Sequence, residues 1–380
     1  MWTAQVLSVT GDQLARVALT LLVFARTHSA LLAAITFAVS IVPAFVGGLT
    51  LSGLADRLPR RQVMIASDLS RAVLVALMAT PGLPLLLMIC IFGVVTMIGA
   101  PFTSARAALY PDILTGDLYV LGTAVTITTL QFAQVIGFAL GGAIVGLFGV
   151  RTSLLADAGT FLLSALITRV FVRARPAARD TLRVRTLSRS DLLAGIRLVF
   201  RNPMLRTPML LGWLVAFYNV PEGVVAPLSR SLGGGDVAAG LILAAAAFGA
   251  SLGAVGFSRL VSPGRRLRWM TLIAPLAPGV LILFAFRPGL AAALAILVVS
   301  GIFDCYQLAA NAEFVRVTPP PQRSQAFGIA QGGMSLGQGT AMILAGAAAE
   351  RFAPGLVIAT AGAIGAVAAV VVALTHSRAR

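Results

Sequence analysis

Twelve apolar runs, each close to the roughly 20 residues that cross a bilayer as a helix, leave this chain almost one way to fold. They are Trp2–Ala25, Leu31–Leu54, Gln62–Thr80, Leu83–Thr103, Tyr119–Phe148, Ser153–Val172, Thr207–Leu228, Val237–Phe257, Trp269–Phe286, Leu290–Ala310, Gln325–Ala349 and Gly355–Leu374. With 58% hydrophobic residues, only 11% charged and a mean hydropathy of +0.94, this much apolar surface cannot be packed into a single soluble core. The expectation is an all-α polytopic membrane protein whose even number of spans leaves both termini on one side. The first run starts almost at Met1, carries Asp12 and Arg16 inside it and lacks a basic leader, so it reads as a retained helix and not a signal peptide.

A net charge of +16 would point to nucleic acid in a soluble protein, but its distribution excludes that partner here. With the loop after the second run placed inside, about 22 arginines fall in cytoplasmic segments and about five (Arg26, Arg151, Arg230, Arg287, Arg351) in outer loops. This is the positive-inside asymmetry, and it puts both termini in the cytoplasm and the basic loops against anionic phospholipids. Lysine is absent, which suggests a GC-rich bacterial genome and a bacterial plasma membrane. Cys90 and Cys305 lie in separate apolar runs as packing residues. No His, Cys, Asp or Glu spacing reads as a metal site, no Ser-His pair or phosphate-cradling glycine loop reads as an enzyme, and no cofactor is implied.

The tightest connection, residues 53–62, packs Gly53, Asp56, Arg57, Arg60 and Arg61 between two apolar runs. A topology determinant needs the basic residues but neither the glycine nor the aspartate. This stretch resembles the loop joining the second and third helices of the major facilitator superfamily, with Pro59 where the family form has a second glycine. The resemblance implies a cytoplasmic gate latch, its aspartate facing a neighbouring helix start and its arginines reaching carboxylates or lipid phosphate. It implies two six-helix bundles in parallel repeat, a substrate site near the midplane between them and alternating access by rocking.

Further phrases resemble the drug and siderophore exporter branch of that superfamily: Gly11-Asp12-Gln13 in the first run, Arg106 with Pro111-Asp112 after the fourth, and Leu155-Ala156-Asp157-Ala158 with Phe161 opening the sixth. Arg106 then belongs to the inner gate, although no arginine stands within the fourth run itself. Gly137, Gly141 and Gly142 resemble an antiporter signature of the fifth helix, with Phe138 in the proline position; equally, they are close-packing glycines. Asp157, near the outer surface, reads as a helix start or interhelical contact.

Residues 1–172 are thus expected to form the N-terminal six-helix bundle and 207–380 the C-terminal one. Between them, 173–206 forms an arginine-rich cytoplasmic linker, where Ser190-Asp191 can cap an interfacial helix. The second half echoes the first at an offset near 204 residues: Gly256 and Arg259 follow Gly53, and Gln338 with Gly346 follow Gln134 with Gly142.

Charges inside the membrane are costly and mark function or internal pairing. Asp12 and Arg16, one helical turn apart, can pair along one face. Glu222 sits in Asn219-Val220-Pro221-Glu222-Gly223, where proline and glycine should break the helix, and Asp304 lies in the tenth run. In the family, spans one, four, seven and ten line the cavity, and these three carboxylates fall on three of them. Burial disfavours the charged form of a carboxylate, the property that proton exchange uses. The cavity set is Asp12, Arg16, Asn219, Glu222, Asp304, Gln134 and Gln338. The expectation is a monomeric secondary transporter, a proton-coupled exporter of amphipathic drugs, antibiotics or siderophore-like compounds. A facilitator, an importer or a lipid translocator shares every topology signal, and a non-transporting sensor is the remaining alternative.

Overall fold

Helices cover all twelve apolar runs, whole or in segments, in the computed structural model, which describes residues 2–113, 117–172, 196–197, 199–262, 266–319 and 322–378. No strand occurs among the described residues. Eight helices there are long and apolar enough to cross a membrane, nine if the bent pair Met204–Gly223 and Val225–Ser231 is one span. The three other expected spans have plain reasons for failing that test. Thr128–Phe171 holds two spans in 44 residues, joined where Gly149 turns the chain at φ 82°, a backbone state that suits glycine. Arg60–Met78 is helical but carries four charges (Arg60, Arg61, Asp68, Arg71), and Arg323–Ala349 is helical but rich in glycine and glutamine.

Proline accounts for most of the remaining breaks, since it removes a donor and clashes with the preceding turn. The second run divides into Ala30–Ala38 and Val42–Thr50 ahead of Pro43, and the Ser40 hydroxyl caps the break by donating to the Phe37 carbonyl at 2.6 Å. The seventh run is cut into Pro203–Trp213, Val215–Tyr218, Val220–Gly223 and Val225–Ser231, around the expected Asn219–Gly223 break. Pro275 and Pro278 interrupt the ninth run, which ends in the 3-10 helix Val280–Phe286.

The chain forms two compact units, Met1–Val184 with Gly234–Ala244, and Arg185–Gly233 with Ala245–Arg380. In the first, Trp2–Thr27 packs along Asp117–Phe171. Small residues allow that approach: a Cβ on Gly137 would lie 2.9 Å from the Thr10 carbonyl oxygen, and one on Gly141 3.2 Å from the Val17 side chain. Gly142 does not face the first helix; its partner is Gly240, whose Cα would lie 2.6 Å from an added Cβ. In the second unit, Val199, Leu205, Met209, Phe314 and Ala326 form a buried cluster with Trp213 and Phe327 packed on it. Most of the arginine-rich linker and its capped interfacial helix lie outside the described residues.

Candidate functional site

In the first unit, Trp2–Thr27 carries Asp12 and Arg16 into the wall of a cavity of about 390 Å³. The Asp12 side chain is 34% exposed, and so meets the cavity directly. Its Oδ1 stands 3.6 Å from Nη1 of Arg71, a residue of the neighbouring helix Arg60–Met78. Arg71 is buried, and its Nη2 pairs with Asp68 one turn back and donates to the Ser8 hydroxyl at 3.2 Å. The guanidinium also lies over the Phe161 ring, 4.2 Å from its centroid, and within 5.3 Å of that of Phe102. Asp68 is fully buried and accepts from the Ser164 hydroxyl at 2.5 Å. Arg71 thus stands between two carboxylates, one sealed in the protein and one open to the cavity.

Asp68 and Arg71 are the residues that sequence reasoning missed. The signal was present: Ser67-Asp68-Leu69-Ser70-Arg71 puts opposite charges three residues apart inside an apolar run, the same pattern that singled out Asp12 and Arg16. The pairing of Asp12 with Arg16 alone is therefore incomplete. Arg16 lines the same cavity with its guanidinium 5.4 Å from the Phe37 ring centroid, while Arg71 supplies a cation to Asp12 from a second helix.

Asp157 also requires correction. It lies two turns into the helical segment after Gly149, is 1% exposed, and packs with Thr160 against Gly11 of the first helix. The interhelical contact is there, but the helix start is not. Its Oδ1 accepts from the Thr160 hydroxyl at 3.3 Å, whereas Oδ2 has no hydrogen-bond partner among the described residues.

Arg106 lines the same cavity as Asp12. At the loop of residues 53–62, Gly53 precedes the short helix Leu54–Arg57; the side chain of Asp56 lies outside the described residues. Arg57 is exposed, Arg60 donates to the Ala108 carbonyl at 2.9 Å, and Arg61 donates to the Arg169 carbonyl. Both acceptors are backbone carbonyls of long helices, Leu85–Ile113 for Arg60 and Asp117–Phe171 for Arg61. Cys90 is exposed, not packed inside; Cys305 is buried.

In the second unit, Asp304 falls at the break between Leu290–Phe303 and Tyr306–Val317. The Tyr218 hydroxyl donates to it, and Gln307 Nε2 donates in turn to the Tyr218 oxygen at 3.0 Å and to the Gly212 carbonyl at 3.1 Å. The Tyr306 hydroxyl donates to the Leu211 carbonyl at 3.0 Å. Two breaks in two helices are thus cross-braced through one carboxylate. Asn219 stands at the junction of two helical segments, and Glu222 is half-buried in the next. Gln338 is half-buried on Arg323–Ala349, and Gln134 half-buried on Asp117–Phe171 outside the lining of the Asp12 cavity.

An apolar helical chain with a buried acid–arginine cluster fits a solute carrier, and comparisons with known proteins agree. The chain is 27% identical over 358 residues to the multidrug efflux pump Tap of Mycolicibacterium fortuitum, covering 90% of this chain and 86% of Tap. It is 26% identical over 299 residues to the enterobactin exporter EntS of Escherichia coli, covering 76% and 69% of the two chains. In fold it resembles the crystal structure of a bacterial homolog of the human lysosomal transporter Spinster, with a TM-score of 0.68 at 17% identity over 98% of this chain and 93% of that one. A family model described as Major Facilitator Superfamily matches residues 1–297 and 222–380. Since those segments together span its whole length, the chain belongs to the Major Facilitator Superfamily.

Proposed function

We propose that this transporter is a proton-coupled exporter of amphipathic small molecules, with Asp12 as the carboxylate that loads and releases the proton. The observation that carries the reading is the placement of Arg71 between cavity-facing Asp12 and sealed Asp68. A proton arriving on Asp12 removes one of the two negative groups holding the guanidinium, leaving Asp68 and the Ser8 hydroxyl as its anchors. Because Asp12 and Arg71 stand on different helices, this changes a contact between helices and not only a local charge. A coupling step needs that property.

The exporter direction and the substrate class draw support from Tap and EntS, one named a multidrug efflux pump and the other an enterobactin exporter. The energy source is an ion gradient, with no bound cofactor. In this reading, a monomer in a bacterial plasma membrane keeps both termini in the cytoplasm and rocks its bundles, residues 1–172 and 207–380, about the solute. Arg57 and the linker arginines meet anionic phospholipid.

The test is proton flux in proteoliposomes on addition of cationic, neutral and anionic amphiphiles, comparing the parent protein with Asp12→Asn. The expected result is that at least one compound discharges an imposed proton gradient through the parent and not through the variant. Solute equilibration without proton movement overturns the coupling and makes the protein a facilitator; equal discharge by both proteins removes Asp12 from the mechanism.

A further inference from the structure

A second cavity, of about 320 Å³, lies wholly within the second unit and contains none of the carboxylates considered above. Its walls are aromatic and thioether side chains, Trp213, Phe314 and Phe327 with Met209 and Met334, and no charged residue lines it. The aromatic groups are held rigidly. The Trp213 indole donates to the Ala330 carbonyl at 2.9 Å, and its ring occupies the space that a side chain at position 333 would need, which glycine leaves open. Phe314 and Phe327 pack edge to face, with ring centroids 5.2 Å apart.

The polar groups of this cavity are three amides, and each has hydrogen-bonding capacity to spare. Gln307 spends its nitrogen on the Gly212 carbonyl and the Tyr218 oxygen. Only the NH₂ can donate to a carbonyl, so its Oε1 is left as an acceptor. Asn311 and Gln331 are exposed and make no side-chain hydrogen bond among the described residues. Asn311 belongs to a candidate membrane span, Leu290–Val317. An amide left bare toward hydrocarbon is unfavourable, so this exposed side chain belongs against water or a bound solute.

Rigid aromatic walls, a few fixed amides and no charge are the features of a site for an uncharged planar solute. We propose that this cavity is the binding subsite for an uncharged aromatic moiety, held by Trp213, Phe314 and Phe327 and oriented by hydrogen bonds to Gln307, Asn311 and Gln331. It rests on the transport reading only in taking the occupant to be the carried solute. The charged cavity of the first unit then serves the proton, and the neutral one discriminates the substrate. A preference for neutral aromatic compounds follows.

Quenching of Trp213 fluorescence tests this directly. Trp2→Phe and Trp269→Phe leave Trp213 as the only one of the three tryptophans, and the purified full-length protein in lipid nanodiscs is titrated with three size-matched quenchers: 6-nitro-2-naphthamide, 6-nitro-2-naphthoate and the corresponding naphthylmethylammonium. The expected result is saturable quenching by the neutral amide, with half-saturation at least about tenfold lower than for either ion. Asn311→Leu and Gln331→Leu, both at exposed positions, should each raise that half-saturation about five- to tenfold. Equal quenching by all three probes, or leucine variants that bind as well as the parent, overturns the subsite. No ion gradient is present in this assay, so its failure leaves proton coupling standing. Selective binding without proton-coupled flux overturns the coupling and leaves the subsite.

Discussion

Removing the Arg71 charge should be among the most damaging single changes in the first unit. Arg71 is 3% exposed and Asp68 0%, so Arg71→Gln leaves a sealed carboxylate with, among the described residues, only the Ser164 hydroxyl bond and no cation beside it. Breaking a buried ion pair from one side costs about 3–5 kcal/mol, because the surviving charge stays desolvated. The lost contact with the Phe161 face, 4.2 Å away, adds about 0.5–2 kcal/mol. Asp68→Asn should cost a similar amount by stranding Arg71, relieved in part by Asp12. In the double variant both charges are gone, so its cost should fall below the sum of the two singles by at least about 2 kcal/mol. Reversible unfolding of the purified protein in mixed micelles measures all four corners of this cycle. A loss under about 1 kcal/mol for Arg71→Gln, or two single effects that simply add, would refute the inference that these groups neutralise one another.

Gly137→Val should destabilise by about 1–3 kcal/mol, since the new Cβ would sit 2.9 Å from both the Thr10 carbonyl oxygen and the Gln13 Cβ; the same unfolding assay reads it. Gly159→Ala is the matching control: no atom stands within 4 Å of its added Cβ, and the change should be neutral or stabilising by up to about 1 kcal/mol. Tyr218→Phe removes the hydroxyl that donates to Asp304 and should cost about 1–3 kcal/mol, read as a lower thermal midpoint. A midpoint equal to that of the parent would mean that this hydrogen bond does not brace the helix breaks.

The fold was legible because a bilayer requires it: long apolar runs must be helical to satisfy their own backbone groups. The break at Asn219–Gly223 was legible for a similarly local reason, since proline cannot continue the ladder. The partner of Asp12 was not. Arg71 is remote in sequence, and nothing in the spacing of a single helix reports which neighbouring helix it meets. Asp68 and Arg71 were overlooked because an i, i+3 pair looks like a local compensation inside one span. Only packing shows that the pair extends to Asp12 on another helix. The aromatic cavity of the second unit has the same cause for its invisibility: Trp213, Asn311 and Gln331 come from three separate helices, and each alone reads as an ordinary residue of a span. The carbonyl partners of Arg60 and Arg61 were hidden for the same reason, since no sequence signal marks which helices come within reach.

Asp12 and Asp304 satisfy their surroundings in different ways, and the difference sets how cleanly each can be probed. Asp12 faces Arg71, which keeps Asp68 whatever happens to Asp12, and Arg16 lines the open cavity where water reaches it, so Asp12→Asn leaves no sealed charge alone and still offers an acceptor oxygen. Asp304 has no cationic partner among the described residues and accepts from the Tyr218 hydroxyl; in Asp304→Asn the amide oxygen can accept the same bond. Both substitutions therefore preserve shape and hydrogen bonding while deleting one ionisable group, and each should change unfolding stability by less than about 1 kcal/mol. Any loss of proton flux in either variant then reports the missing ionisation and not a damaged fold. If Asp12→Asn instead unfolds the protein by 3 kcal/mol or more, about the cost of breaking a buried pair, Asp12 is a structural counter-ion of Arg71. The proton would then have to be carried by another group, with Asp304 the first candidate.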